Sequence, residues 1–266
     1  MDLNSIVQHL DAAGVSKVIL SARGKVKPNQ IASLTNAHPE RIIAAVRTKG
    51  WAYAKNKKGY YKLLNKQLGM PEFRAMAELI LWHAAKGNKA PEWEVPVATP
   101  QVQAALNATY KKGWPAVLHY EFAASGGRRG GLMDELEALL AEKPDHPFVL
   151  THMAQLELPE VIRLIEKHKN IHFIPSWSNA ITATIGNQPW VNLFSGDKLA
   201  ADWKALLIKH PDRFVLGFDN VWEDHWGDHY TSQVKLWQEV FKGLPEDVAH
   251  AIAHKNAERL WNLKPL

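Results

Sequence analysis

Three short apolar runs each end on a residue that can bind a metal or move a proton. Pro115-Ala-Val-Leu-His119 leads into Tyr-Glu-Phe, Pro147-Phe-Val-Leu-Thr-His152 into Met-Ala-Gln, and Arg213-Phe-Val-Leu-Gly-Phe-Asp219 into Asn-Val-Trp. A run of four or five apolar residues flanked by Pro or Gly is too short for a helix and reads as a strand buried on both faces. Packing alone gives no reason for one polar residue at the same end of three such strands. In a parallel barrel the C-terminal strand ends point into one pocket, and the loops that follow carry the chemistry. Two imidazoles and a carboxylate converging there outline a metal site.

The elements that must position them alternate along the chain. A helix over residues 5–13 stops at Gly14, a common residue just past a helix end. A strand over 17–20 follows, then a helix over 29–36, a strand over 41–46 and a helix over 60–68. Residues 73–81 read as a strand, although Ala-Met-Ala-Glu-Leu also suits a helix. Helices over 100–111 and 132–141 precede the His119 and His152 strands. A helix over 159–167 precedes a strand over 171–174, and one over 199–208 precedes the Asp219 strand at 213–217. Helices over 231–242 and 246–261 finish the chain. Strands alternating with helices of this length argue for a parallel sheet with right-handed crossovers, and 266 residues fit one undivided α/β barrel domain spanning 1–266.

Other polar and aromatic residues fall near the same strand ends. Glu121 lies two residues past His119, as a partner for a histidine or substrate, or for Arg128 in a salt bridge. The glycine-rich segment Gly126-Gly-Arg-Arg-Gly-Gly131 reads as a cationic loop whose Arg128 and Arg129 could clamp a carboxylate substrate; its competing reading is a plain surface loop. It lacks the Lys-Ser/Thr ending of a phosphate-binding loop. Several of the 11 tryptophans, Trp177, Trp190, Trp222 and Trp226, follow predicted strands, where a large ring lines or covers a pocket. His225 and His229, with Gly227 between them, read as pocket rim or ordinary surface. For His119 and His152 the ordinary alternative is a buried, satisfied histidine; for Asp219 it is a cap. His38, His146 and His210 lie in helix-to-strand connectors, on the barrel face away from chemistry.

Composition narrows the classes. With no cysteine, disulfides and thiolate metal sites are excluded. The formal charge of +5 is concentrated around residues 55–66, a basic segment with interleaved tyrosines; no nucleic-acid motif accompanies it, so a solvated helix face is expected and no nucleic-acid partner. No window approaches the roughly 18 apolar residues of a membrane span, and no signal-peptide core opens the chain. No membrane partner is expected and a cytoplasmic location is, unless an upstream segment directs export.

The chain resembles the amidohydrolase superfamily, in its amidohydrolase-related branch of metal-dependent hydrolases and decarboxylases. The resemblance rests on His9-Leu-Asp-Ala-Ala-Gly-Val15 before a Val-Ile-Leu strand, Pro39-Glu-Arg-Ile-Ile43, Val117-Leu-His119, Val149-Leu-Thr-His152, Gly217-Phe-Asp219 and Asn256-Ala-Glu-Arg-Leu260, in that order over nearly the whole length. It implies a distorted (β/α)8, TIM-barrel-like fold. It also implies a divalent metal ion, zinc first and manganese as the alternative, held by His119, His152 and Asp219. In the family's common mechanism the metal activates water for attack on a carbonyl, with Asp219 as the catalytic proton carrier. The strand-four position, often a carboxylated lysine in two-metal members, corresponds to Glu78, which favours one metal or a glutamate bridge. The substrate expected is a small amide, lactone or ester, with a decarboxylase of the same superfamily or a catalytically inactive binding protein as alternatives.

The family's first strand carries a His-x-His pair that this sequence does not show; His9 falls on the first helix. Met1 is therefore expected to lie downstream of the family's usual start, with strand one missing. Its absence would leave strand edges at 17–20 and 213–217 to be covered by the N-terminal helix, by collapse, or by another copy of the chain in a homo-oligomer. Unpaired buried backbone groups cost roughly 1–3 kcal/mol each. The 266-residue form is thus expected to melt lower and associate more than a form carrying the upstream segment. Equal melting temperatures and monomeric sedimentation for both forms would overturn this.

Overall fold

Helices and strands alternate in the computed structural model, which describes residues 3, 5–86, 91–183, 186 and 188–266. The helices are α1 (Ser5–Ala13), α2 (Pro28–Ala37), α3 (Trp51–Ala54), α4 (Lys58–Leu68), α5 (Pro100–Lys112), α6 (Arg129–Glu142), α7 (Leu158–Lys167), α8 (Ala180–Ala183), α9 (Ala201–Lys209), α10 (Asp228–Lys242), α11 (Glu246–His250) and α12 (Asn256–Leu260). The strands are β1 (Val18–Ser21), β2 (Ile42–Val46), β3 (Phe73–Met76), β4 (Leu79–Ile80), β5 (Trp82–His83), β6 (Trp93–Glu94), β7 (Ala116–His119), β8 (Phe148–Leu150), β9 (Ile171–Phe173), β10 (Phe194–Ser195) and β11 (Lys198–Leu199). β1, β2 and β3 pair in parallel, as do β4, β7, β8 and β9, while β5–β6 and β10–β11 are small antiparallel pairs.

The parallel strands enclose an interior of small and branched side chains. Ala45, Ala75, Val117, Val149 and Val215 gather with Ile19 and Ile174, and Leu260 and Trp261 join this cluster from the C-terminal helix. Their strand neighbours Ala44, Leu118, Leu150 and Phe214 belong instead to the larger core that includes Leu64, Leu106, Leu136 and Leu164 of the helices. This alternation, one residue inward and the next outward, makes each strand apolar on both faces and defines a (β/α) barrel-like fold.

Two expected strands differ in the structure. Residues 73–81 break between β3 and β4: Ala77 N–H still donates to Val46 O at 3.0 Å, whereas Leu81 N–H donates to His119 O at 3.1 Å. The segment changes partner from β2 to β7, and the break at Ala77-Glu78 is where it does so. Residues 213–217 form no ladder. Phe214 bridges Phe173, Val215 N–H reaches Phe173 O at 2.9 Å, and Leu216 N–H donates to Ile252 O at 2.9 Å. Ile252 lies in a π turn, Ala251–Lys255, that interrupts the expected final helix between α11 and α12. A helix carbonyl thus takes a bond that a neighbouring strand would otherwise accept.

Among the described residues no strand lies between β1 and the 214–217 segment. Ile6, Leu10 and Ala13 of α1 pack with Trp226, Tyr230 and Val234, against Val18, Leu20 and Phe218. Two helices of the same chain therefore cover both flanks of the gap. No helix among the described residues is long and apolar enough to cross a membrane.

Gly217 is tightly packed on the β9 side of the 214–217 segment, since a Cβ there would lie 2.9 Å from Ile174 Cγ2, a stiff β-branched neighbour. Gly217→Ala is expected to destabilise the fold by about 1–3 kcal/mol through overpacking. Urea unfolding measures this, and an unchanged midpoint would show that Ile174 yields freely.

Candidate active site

A cavity of about 870 Å³ opens at the C-terminal strand ends, with Glu78, His83, His119 and Asp219 in its wall. Each polar group arrives on a different element. His119 ends β7, Glu78 occupies the break between β3 and β4, and Asp219 follows the Phe214–Phe218 run. His152 comes two residues after β8, on a backbone that turns left-handed: His152, Met153, Ala154 and Gln155 have φ of 56°, 51°, 51° and 57°. Left-handed geometry costs non-glycine residues roughly 1–2 kcal/mol each, so the surroundings must impose it. Gln155 Oε1 accepts from Ala124 N–H at 3.0 Å, Met153 N–H donates to Ile174 O at 3.1 Å, and His152 N–H donates to Ser176 Oγ at 3.2 Å.

His119 is buried between two carboxylates. Its Nδ1 lies 3.0 Å from Glu78 Oε2 and its Nε2 3.0 Å from Glu121 Oε1. Burial pulls the imidazole down, but Glu121 and Glu78 outweigh it and raise its pKa. Each carboxylate in turn carries a lysine, Lys49 on Glu78 Oε1 and Lys86 on Glu121 Oε1. Burial pushes both carboxyls up; Lys49 and His119 overcome this for Glu78, and His119 and Lys86 for Glu121, leaving both well below the usual carboxylate range. His152 behaves oppositely: burial brings it down to about 4, only partly offset by Asp219, whose Oδ2 lies 3.6 Å from its Nε2. Its Nδ1 shares a 2.8 Å hydrogen bond with Ser176 Oγ.

Two groups of donors in this cluster could hold a metal ion, Glu78 with His119 and His152, and His83 with His119 and Glu121; within each, the donor atoms lie within 4.8 Å of one another. Two imidazole nitrogens and one carboxylate are a fitting donor set for a divalent transition metal. Asp219 faces the first group across His152.

The remaining expected residues divide by location. Trp177, Trp222 and His225 line the cavity, with the His225 ring edge-on to Trp177 at 5.4 Å and Arg23 stacked on Trp222 at 5.0 Å. Glu121 is fully buried beneath His119, and its partners are Lys86 and the Ala84 N–H rather than Arg128. The expected arginine clamp is corrected by the structure. The glycine-rich segment winds into a 3-10 turn at Gly126–Arg128 and then into α6, which carries both guanidiniums away from the cavity. Arg128 stacks on Trp82 at 4.8 Å and reaches Glu92 and Glu94 at 3.4 and 3.3 Å, while Arg129 pairs with Glu160.

The cations that do line the cavity are Arg23, Arg47, Lys49 and Lys86. Sequence reasoning passed over them, and over His83, which stacks on His119 at 5.4 Å and which burial lowers to about 4. His83 follows the apolar run Leu79-Ile80-Leu81-Trp82, the same signal that marks His119. Trp190, one of the tryptophans expected after a predicted strand, also lines the cavity and packs against His152 at 5.2 Å and Trp177 at 5.6 Å.

The family model described as Amidohydrolase matches residues 21–263, and the chain belongs to that family. Comparison with the curated proteins gives no match. Among solved structures, an uncharacterized TIM-barrel protein from Bordetella bronchiseptica is similar at 16% identity and a TM-score of 0.63, covering 98% of this chain and 83% of that one. 2,6-Dihydroxybenzoate decarboxylase from Rhizobium is similar at 14% identity and 0.61, covering 99% and 89%. A probable 2-pyrone-4,6-dicarboxylic acid hydrolase from Acinetobacter baumannii follows at 14% and 0.57, covering 97% and 88%. At these identities the likeness is one of fold.

Ser176 orients the His152 ring without lining the cavity. Ser176→Ala is expected to lower the melting temperature by a few degrees, because the buried His152 N–H loses its acceptor, and to weaken zinc or manganese binding, read by calorimetry, by about 10- to 100-fold. Unaltered affinity would show that the ring is fixed by its aromatic contacts alone.

Proposed function

We propose that this protein is a metal-dependent hydrolase acting on a small carbonyl substrate that bears a carboxylate. The observation that carries this reading is the Asp219 carboxylate, partly exposed, placed 3.6 Å from His152 Nε2 beside the buried Glu78–His119 pair. Glu78, His119 and His152 would hold the ion, with Asp219 as the further oxygen donor. When bound, a divalent cation lowers the pKa of a water ligand toward neutrality and polarises a carbonyl oxygen.

The chain's own residues supply the rest. Asp219 is positioned to take a proton from an attacking water and return it to the leaving group. Trp177 and Trp190 form an apolar wall against His152, which keeps bulk water from the reacting carbonyl. Arg23 and Arg47 stand on the opposite wall, and among the described residues no carboxylate lies within ion-pair distance of either. Arg47 is held by Gly24 O at 3.2 Å and Lys49 O at 3.3 Å, which fixes its guanidinium to receive a substrate anion.

The same walls support a second reading, decarboxylation of an aromatic acid, because tryptophan faces and free guanidiniums suit a planar carboxylate equally. There Asp219 would deliver a proton to the carbon that loses carbon dioxide. A catalytically inactive binding protein is the third reading.

A panel of carboxylated lactones, esters, amides and hydroxybenzoates, assayed with added zinc or manganese, separates these readings by product. Turnover to ring-opened or cleaved acids is expected, lost on chelation and restored by metal. His152→Ala and Asp219→Asn are each expected to lower kcat by at least about 10²-fold with the fold retained. Carbon dioxide release would move the assignment to the decarboxylase. Full activity after chelation would refute the metal, and tight ligand binding without turnover would favour the binding protein.

A further inference from the structure

Both oxygens of the Glu78 carboxylate already have a partner. Oε1 carries the Lys49 ammonium and Oε2 faces His119 Nδ1 at 3.0 Å. His119 in turn has its second nitrogen on Glu121. Glu78 and His119 line the cavity with Asp219, and His152 Nε2 lies 3.6 Å from the Asp219 carboxylate. Burying a carboxylate without a counter-charge is strongly unfavourable, so Glu78 needs a cation whether or not a metal is present.

Lys49 is suited to meet that need reversibly. It follows β2 in the loop Arg47-Thr-Lys49, its side chain is about one-fifth exposed (19%), and it belongs to the cavity wall with Arg23 and Arg47. A lysine is a point charge on a flexible four-carbon stem, so it can leave a carboxylate without moving the backbone.

We propose that Lys49 is the resident counter-cation of Glu78, and that a divalent ion binds this group only by displacing it. Loading is then an exchange in which the metal ion takes the place of the Lys49 ammonium beside Glu78 and of any proton on the His119 nitrogen that becomes a ligand, that proton leaving to solvent. The released ammonium moves onto the cation wall and adds to its attraction for a substrate anion. This rests on the reading of Glu78, His119 and His152 as a metal group. Lys86 holds Glu121 in the same manner, on the far side of His119.

The test is calorimetric titration of the metal-stripped protein with zinc and with manganese. Removing the competing charge in Lys49→Met is expected to tighten binding by roughly ten- to a hundredfold. Lys49→Arg, which keeps the charge, is expected to stay near the parent protein, and Glu78→Gln to bind weakly. Lys86→Met removes an equal charge from Glu121 and is expected to change affinity far less. If Lys49→Met does not fold when stripped, Lys49→Gln carries the test, and added metal is expected to raise its melting temperature more than it raises that of the parent.

Equal affinity of the parent and the Lys49 variants, with Glu78→Gln still weakened, would overturn the exchange while leaving the metal group standing. Equal tightening by Lys86→Met would overturn it as well, by reducing the effect to general charge. Absence of binding in the parent and in every Lys49 variant would refute both the exchange and the metal group.

Discussion

The structure depends on keeping a buried line of alternating charge in balance. Lys49, Glu78, His119, Glu121 and Lys86 follow one another through direct contacts, with both glutamates and the histidine almost wholly removed from water. The five members come from four strand ends or the loops after them, His119 and Glu121 sharing β7, so the line joins the β2, β3–β4, β5 and β7 ends of the barrel. Uncompensated charge at any point would cost more than most packing defects, because a buried ion without a partner loses its hydration and gains nothing. The requirement explains why the β3–β4 segment breaks at Ala77-Glu78. A regular strand would alternate Glu78 with its neighbours and leave the choice of partner to the ladder, whereas the break lets the carboxylate meet both Lys49 and His119. The Tyr53 hydroxyl, donating to Ile80 O at 2.9 Å, secures the strand just beyond.

A second constraint is conformational. The left-handed run from His152 to Gln155 is fully buried, so its cost is offset by hydrogen bonds and packing. Gln155 ties the turn to the loop after β7, and Ser176 ties it to the loop after β9, where Trp177 also has a positive φ of 58°. The three loops that follow β7, β8 and β9 are therefore fixed to one another. Strain retained at a site in this manner holds side chains where relaxed geometry would not put them. Here it holds the His152 ring between Ser176 at Nδ1 and Asp219 at Nε2.

Much of this was legible in the sequence, for a definite reason. Apolar runs such as Val117-Leu118 and Val149-Leu150 are buried on both faces by the barrel, so the first polar residue after them, His119 or His152, marks a strand end without further information. His83 carried the same mark but was hidden by the doubt over whether residues 73–81 are strand or helix. Lys49, Lys86, Arg23 and Arg47 were invisible because a charged residue in a loop is ordinarily solvated; only the tertiary structure shows that these four face a cavity. Arg128 and Arg129 misled in the other direction. A run of glycines reads as a loop, yet Leu132, Leu136, Leu139 and Leu140 supply a buried face strong enough to draw the helix start back to Arg129. The seam between β1 and the 214–217 segment was legible as a missing strand, but the covering by α1 and α10 and the carbonyl of Ile252 are tertiary facts.

The two central histidines show how position divides labour between identical side chains. Their rings meet edge to face at 5.0 Å, yet burial governs His152 while the flanking carboxylates govern His119. His119 faces a carboxylate at each nitrogen, and both raise its pKa, so it bridges the two glutamates within the line that holds the barrel mouth together. His152 meets one hydroxyl and one more distant carboxylate, so burial keeps it neutral and its Nε2 faces Asp219. Environments that push like groups apart are the usual way a site assigns separate roles to them. The His152 ring is thus the one ready to offer a lone pair at neutral pH, and the His119 ring the one that determines where Glu78 and Glu121 stand. A metal ion entering this site must therefore do more than find three donors: it must take over from His119 and Lys49 the task of compensating Glu78.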